Sequence, residues 1–155
     1  VRERETPVQQ VNRKPQMPGG ALDPDIVARA EAALKSLSAQ FSRWLQDEID
    51  KLEAARERVV AEGMGGVAGE VLYTRAHDLK GLGGTYEFPI VTRVSASLCR
   101  LIEDADHRAR APLPLVESHI NAIKLMVRDD IKDDTDPVGQ AICLSLETQV
   151  DAIHA

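Results

Sequence analysis

From Ile26 to Ile153 the apolar residues of this chain recur three and four positions apart, and no stretch of useful length alternates apolar with polar. Side chains three or four apart share one face of a helix, whereas a strand needs a period of two, so such a chain buries its apolar groups by stacking helices. Asp23 followed by Pro24 is a start signal, and Ile26, Ala30, Ala33, Leu34 and Leu37 form one face of a first helix. Ser36 and Ser38 interrupt the run, with Ser38 placed to cap a second, longer helix. That helix carries Phe41, Trp44, Leu45, Ile49, Leu52, Ala55 and Val59 and stops at Glu62–Gly63. A third runs from near Val67 to about Thr85. A fourth opens at Pro89 and is marked by Ile90, Val94, Leu98, Leu101, Ile102 and Ala105, and the segment from Ala109 to Pro114 reads as a loop. Leu115, Val116, Ile120, Ile123 and Val127 mark a fifth helix to about Asp130. After the acidic turn ending at Pro137, Val138, Ile142, Leu146, Val150 and Ile153 mark the last. Aromatic residues make up only 3%, which suits packed helices better than sheets. The fold expected is all-α: an antiparallel helical bundle, with a four-helix bundle core and an additional N-terminal helix.

Residues 1–22 read as a flexible tail ahead of a single helical domain over 23–155, because they hold Pro7, Pro15, Pro18, Gly19 and Gly20 and no apolar periodicity. Arg2, Arg4, Arg13 and Lys14 against Glu3 and Glu5 leave the tail at +2, opposite in sign to the whole chain at −6. The overall negative charge disfavours nucleic acid or an anionic membrane surface as a partner. No apolar run approaches the roughly 20 residues of a membrane span. Cys99 and Cys143 stand apart inside apolar helical patterns, as free buried thiols of a reducing, cytoplasmic setting do.

The third helix carries the chemistry. Leu72, Ala76, Leu79, Gly83 and Tyr86 fall on one stripe at 100° per residue, while His77, Lys80, Gly81 and Gly84 fall on the opposite one. Burying the first set therefore shows the imidazole to solvent. Each glycine inside a helix costs about 1 kcal/mol relative to alanine, so a requirement other than helix stability maintains Gly81, Gly83 and Gly84 there. A neutral imidazole attacks with a lone pair that is already free and needs no general base. Lys80, one turn on, is placed to offset the charge of a phosphoryl group. Gly81 and Gly84 clear the surface beside the ring for a second protein.

His77-Asp-Leu-Lys80-Gly81, with Gly84 one turn later, resembles the phosphorylation motif of histidine-containing phosphotransfer (HPt) domains of bacterial multistep phosphorelays. Phe88–Pro89 and the run from Ser97 to Glu103 are similar to the turn and next helix of that family. The motif covers about residues 70–105, and the helix layout extends the likeness over 39–155. The resemblance implies a helical bundle that takes a phosphoryl group from the aspartate of one receiver domain and gives it to another. It implies His77 as phosphoacceptor, Lys80 as phosphoryl-stabilising charge, and Gly81 and Gly84 as access positions. Leu82 and Gly83 depart from the small polar or alanine residues usual after the motif glycine. The partners implied are receiver domains of response regulators or hybrid histidine kinases. The chain would then be a phosphoryl carrier in two-component signal transduction rather than an enzyme, with no cofactor of its own and Mg²⁺ held by the receiver.

Other readings compete. His77 as an ordinary surface histidine, with glycines permitting a close helix crossing, accounts for Gly83 but leaves Gly81 and Gly84 without a reason. A metal-dependent phosphohydrolase built on His77–Asp78 needs further ligands, including a histidine upstream of the pair, and none precedes His77. A helical docking module that is never phosphorylated also remains. His107 near the end of the fourth helix, His119 among polar positions and His154 beside the terminus are assigned no function, and no metal site is expected. Arg75, beside the buried stripe, is placed to snorkel or to pair with an acidic neighbour, and Arg93 and Arg100 are candidates for a docking face.

Overall fold

A computed structural model describes residues 23–155, and the expectation of a tail over 1–22 lies outside them. The described residues form six helices and no strand: α1 Pro24–Glu62, α2 Val67–Leu82, α3 Pro89–Leu101, α4 Ala105–Arg110, α5 Leu113–Arg128 and α6 Pro137–His154. The chain is an all-α helical bundle.

The number of helices equals the number read from the periodicity only because two differences offset each other. Ser36 and Ser38 do not break the chain, and α1 continues through them for 39 residues. Serine is only a mediocre helix former, not a breaker, and the Ser38 hydroxyl donates to the Glu87 carboxylate at 3.3 Å instead of capping a new helix. The second difference lies after Leu101. Here α3 stops, Ile102 is buried, and the Asp104 carboxylate accepts the His107 backbone N–H at 2.8 Å to start the short helix α4 where the pattern suggested a continuing helix and then a loop.

The stretch of α1 from Pro24 to Leu37 does not bury the face expected of it, since Ile26, Leu34 and Leu37 are all exposed. From Ser38 onward the bundle has one core. Leu45, Ile49, Leu52, Ala55 and Val59 of α1 join Leu72, Ala76 and Leu79 of α2, and α3 adds Ile90, Val91, Val94, Leu98 and Leu101. Val116, Ile120, Ile123 and Met126 of α5 and Cys143, Leu146 and Val150 of α6 complete it. A leucine or isoleucine taken fully out of water contributes about 1.5–3 kcal/mol, so Leu72 and Leu79, both at 0%, anchor α2 firmly. α3 packs on α2, α5 and α6, and α5 packs on α6.

Charged pairs show the directions. Glu53 and Arg56 of α1 meet Lys124 and Asn121 of α5 in reversed order, at 3.1 and 2.7 Å, so these helices run antiparallel. Arg93 and Arg100 of α3 meet Glu147 and Asp151 of α6 in the same order, at 2.7 and 2.9 Å, so these run parallel. Cys99 and Cys143 are free and buried, and burial pushes the Cys99 thiol up to about 11. No helix among the described residues is long and apolar enough to cross a membrane.

Candidate functional site

The wall of α2 divides as its periodicity dictates. Leu72, Ala76, Leu79 and Gly83 are buried, whereas His77, Asp78, Lys80, Gly81 and Gly84 are exposed. Tyr86 departs from the expected stripe. The helix ends at Leu82, short of Thr85, and Tyr86 lies half-buried in the following turn, its ring 5.6 Å from that of Phe41 and 5.8 Å from that of Trp44.

The three glycines are of two kinds. A Cβ on Gly83 would stand 2.7 Å from the Thr92 nitrogen and 2.9 Å from the Phe88 carbonyl oxygen, distances that real structures do not tolerate. Gly83 has helical φ and ψ, so the requirement there is space for α3 and not an unusual backbone conformation. At Gly81 and Gly84 a Cβ would meet nothing within 4 Å. Internal packing therefore accounts for Gly83 and does not account for Gly81 or Gly84.

Thr92 of α3 holds this end of α2. Its hydroxyl donates to the Lys80 carbonyl at 3.0 Å and accepts the Gly84 N–H at 3.1 Å, joining the backbone on both sides of the bare patch to α3. Two groups orphaned at the helix end are thereby satisfied. Lys80 is exposed, and its charge bears on Cys99, pulling the thiol down against the larger upward effect of burial.

The His77 ring lies 6.1 Å, centre to centre, from the half-buried Tyr73 ring one turn earlier, tilted at 34°. The i, i−4 spacing of Tyr73 from His77 is the signal that could have found this neighbour. Thr92 offered none, because its partners lie on another helix. Asp78 points to Arg75, 4.0 Å away, and both are partly exposed. Among the described residues, the cluster of metal-ligating groups is Glu103, Asp104 and His107, which leaves His77 out.

Several secondary candidates sit elsewhere than the sequence suggested. Arg93 is tied to Glu147, Gln140 and Asp134, and Arg100 to Asp151, so both brace α3 against α6 or the segment before it. The bond with Glu147 raises the Arg93 pKa further above its ordinary value. His119 is not among polar positions but fully buried. Its Nδ1 donates to the Leu115 carbonyl at 2.7 Å, and the Ser97 hydroxyl pairs with Nε2 at 2.9 Å. Because a carbonyl only accepts, Nδ1 carries the proton, and in the neutral ring Nε2 accepts from the hydroxyl. Burial lowers the His119 pKa and favours that neutral ring. His107 does not close the fourth helix but lies in the first turn of α4, with its Nδ1 2.8 Å from Asp104.

The arrangement presents one imidazole on an open, glycine-bared wall, with an ammonium one turn away. Compared with known protein families, curated proteins and solved structures, the chain matches none.

Proposed function

We propose that this chain is a histidine phosphotransfer protein, accepting a phosphoryl group on His77 from a receiver-domain aspartate and passing it to a second receiver. The observation that carries the reading is the pairing of an exposed His77 with Gly81 and Gly84, where added side chains would meet nothing of the chain's own. A site that another protein's catalytic loops must reach calls for such bareness, and helix stability argues against it.

In the proposed reaction the lone pair of a neutral His77 nitrogen, taken as Nε2, attacks phosphorus while the bond from phosphorus to the aspartyl oxygen breaks. The receiver keeps a carboxylate, and the ring proton left on the phosphorylated imidazolium passes to solvent. The reverse sequence delivers the group to a second receiver. Phosphoryl transfer depends chiefly on positioning and charge stabilisation, so Lys80 supplies the cation on this side while the receiver contributes Mg²⁺. Lys80 is exposed one turn from His77, in keeping with that role.

Incubation with radiolabelled, phosphorylated receivers tests the reading. Label should move to the chain, be lost in acid as phosphohistidine is, and be absent in His77→Gln with thermal stability unchanged. Lys80→Ala should slow transfer by about tenfold or more. Acid-stable label, or label retained by His77→Gln, overturns the reading. Receiver binding that survives in His77→Gln, with no label on the wild type, would identify a docking module instead.

A further inference from the structure

The first turns of α1, over residues 24–37, carry an apolar stripe that stands in water. Ile26, Leu34 and Leu37 are 51%, 65% and 43% exposed, and Ala30 and Ala33 between them are exposed as well. The first buried residue of α1 is Leu45. Single exposed apolar side chains are ordinary on a protein surface, but a stripe of them at helical spacing marks a face that another surface covers.

The stripe is complementary to itself. Ile26, Ala30, Ala33 and Leu37 follow one another at four, three and four residues, the spacing of a coiled-coil seam. This order reads alike in both directions: a large side chain, two alanines, a large side chain. Laid antiparallel on a second copy, Ile26 meets the partner's Leu37 and Ala30 meets the partner's Ala33, and each contact occurs twice about the two-fold axis. The central alanines let the two helix axes come close, and Leu34 widens the apolar strip on one side. Arg29, beside the seam on the other, falls opposite the partner's Ser36 rather than opposite a like charge.

Charge selects the same arrangement. Residues 1–22 carry +2, whereas residues 38–155 hold 13 Lys or Arg against 20 Asp or Glu, a net −7. Residues 23–37 hold two against three and so repel one another little. In the antiparallel register Asp23 falls opposite the partner's Gln40, so the positive stretch of each chain enters where the acidic part of the other begins. A parallel pair would set +2 beside +2 and −7 beside −7, which opposes association. We propose that residues 24–37 form a dimerisation helix that pairs antiparallel with the same segment of a second copy. These side chains make a small interface, below the roughly 1,200 Å² of a standard one, so a dissociation constant of about 1–100 μM is expected. The face does not involve His77, and the proposal stands or falls apart from the phosphotransfer reading.

Sedimentation velocity of the full chain at rising concentration tests it. The wild type should pass from monomer to dimer, and His77→Gln should do the same. Ile26→Lys and Leu37→Glu should each raise the dissociation constant at least about tenfold. Both positions are exposed in the single chain, so the variants should keep the fold, which circular dichroism checks. An equimolar mixture of the two variants should regain at least about tenfold in association over either alone. In the mixed antiparallel pair the introduced charges attract at one end, while Leu37 of one chain still meets Ile26 of the other at the opposite end. A wild type that stays monomeric at up to about 500 μM overturns the proposal and leaves the face to a different protein or to this chain's own residues 1–22. Folded variants that dimerise like the wild type overturn it as well. A mixture no more associated than its components overturns the antiparallel pairing.

Discussion

His77 and His119 ride on helices of the same bundle in opposite circumstances. His77 stands exposed near glycines at which an added Cβ would meet nothing, and His119 lies fully buried with both ring nitrogens bonded. The same side chain is thus an exposed surface group in one place and a core hydrogen-bonding element in the other. Identity alone does not distinguish them; the company on the same helical face does. Gly81 and Gly84 flank the first, whereas Leu115, Val116, Ile120, Ile123 and Met126, all buried, share the helix of the second.

The contrast can be broken most forcefully at His119. Replacing it with alanine leaves Ser97 Oγ and the Leu115 carbonyl without their partner and opens a cavity, and should cost about 2–4 kcal/mol in denaturant unfolding. The same residue ties stability to acidity. Its folded pKa is lowered, so the native state takes up its proton at lower pH than the unfolded chain does. The His119 contribution is therefore complete above the unfolded value of about 6.5 and falls as pH drops below it, levelling once the folded value is passed. Melting temperatures from pH 7.5 to 5 should show that decline in the wild type and less of it in His119→Gln. A variant with an unchanged slope would show that other groups govern the decline.

A smaller effect is expected at Gly83. Alanine there forces α2 away from the Thr92 and Phe88 backbone and should cost about 1–3 kcal/mol. Gly81 and Gly84 sharpen the comparison from the other side. Gly81→Ala should leave stability unchanged or raise it by about 0.5 kcal/mol, since it adds a better helix former in open space. A bulky residue such as tryptophan at position 84 should leave unfolding nearly untouched and slow phosphoryl labelling from a receiver. If that variant were labelled at the full rate, the bare patch would not be an approach path.

How far the chain could be read in advance follows the range of the interactions involved. Leu72, Ala76, Leu79 and Gly83 were legible as a buried stripe, and His77, Lys80, Gly81 and Gly84 as an exposed one, because a helix maps sequence spacing directly onto a face. Ser38 misled because the residue type that caps helices also sits inside them, and its partner Glu87 lies 49 positions away. The acids that Arg93 and Arg100 meet were hidden for the same reason, lying on α6 or just before it. His119 is a different failure. Apolar residues four and three positions before it and one, three and four after it had placed it on the buried face, but its polar character was given more weight than its periodicity. His154 beside His107 had no local signal, since the two rings meet only when α6 returns to α4.

Thr92 carries one further consequence. A rim built from main chain, and tied on both flanks by a single hydroxyl, has no rotamers to resort and little freedom to surrender on contact. A partner of the proposed kind would find a fixed contour at His77, and the burden of fitting would fall on the visitor. One such contour can serve several callers of related shape, with discrimination among them left to the periphery of the encounter.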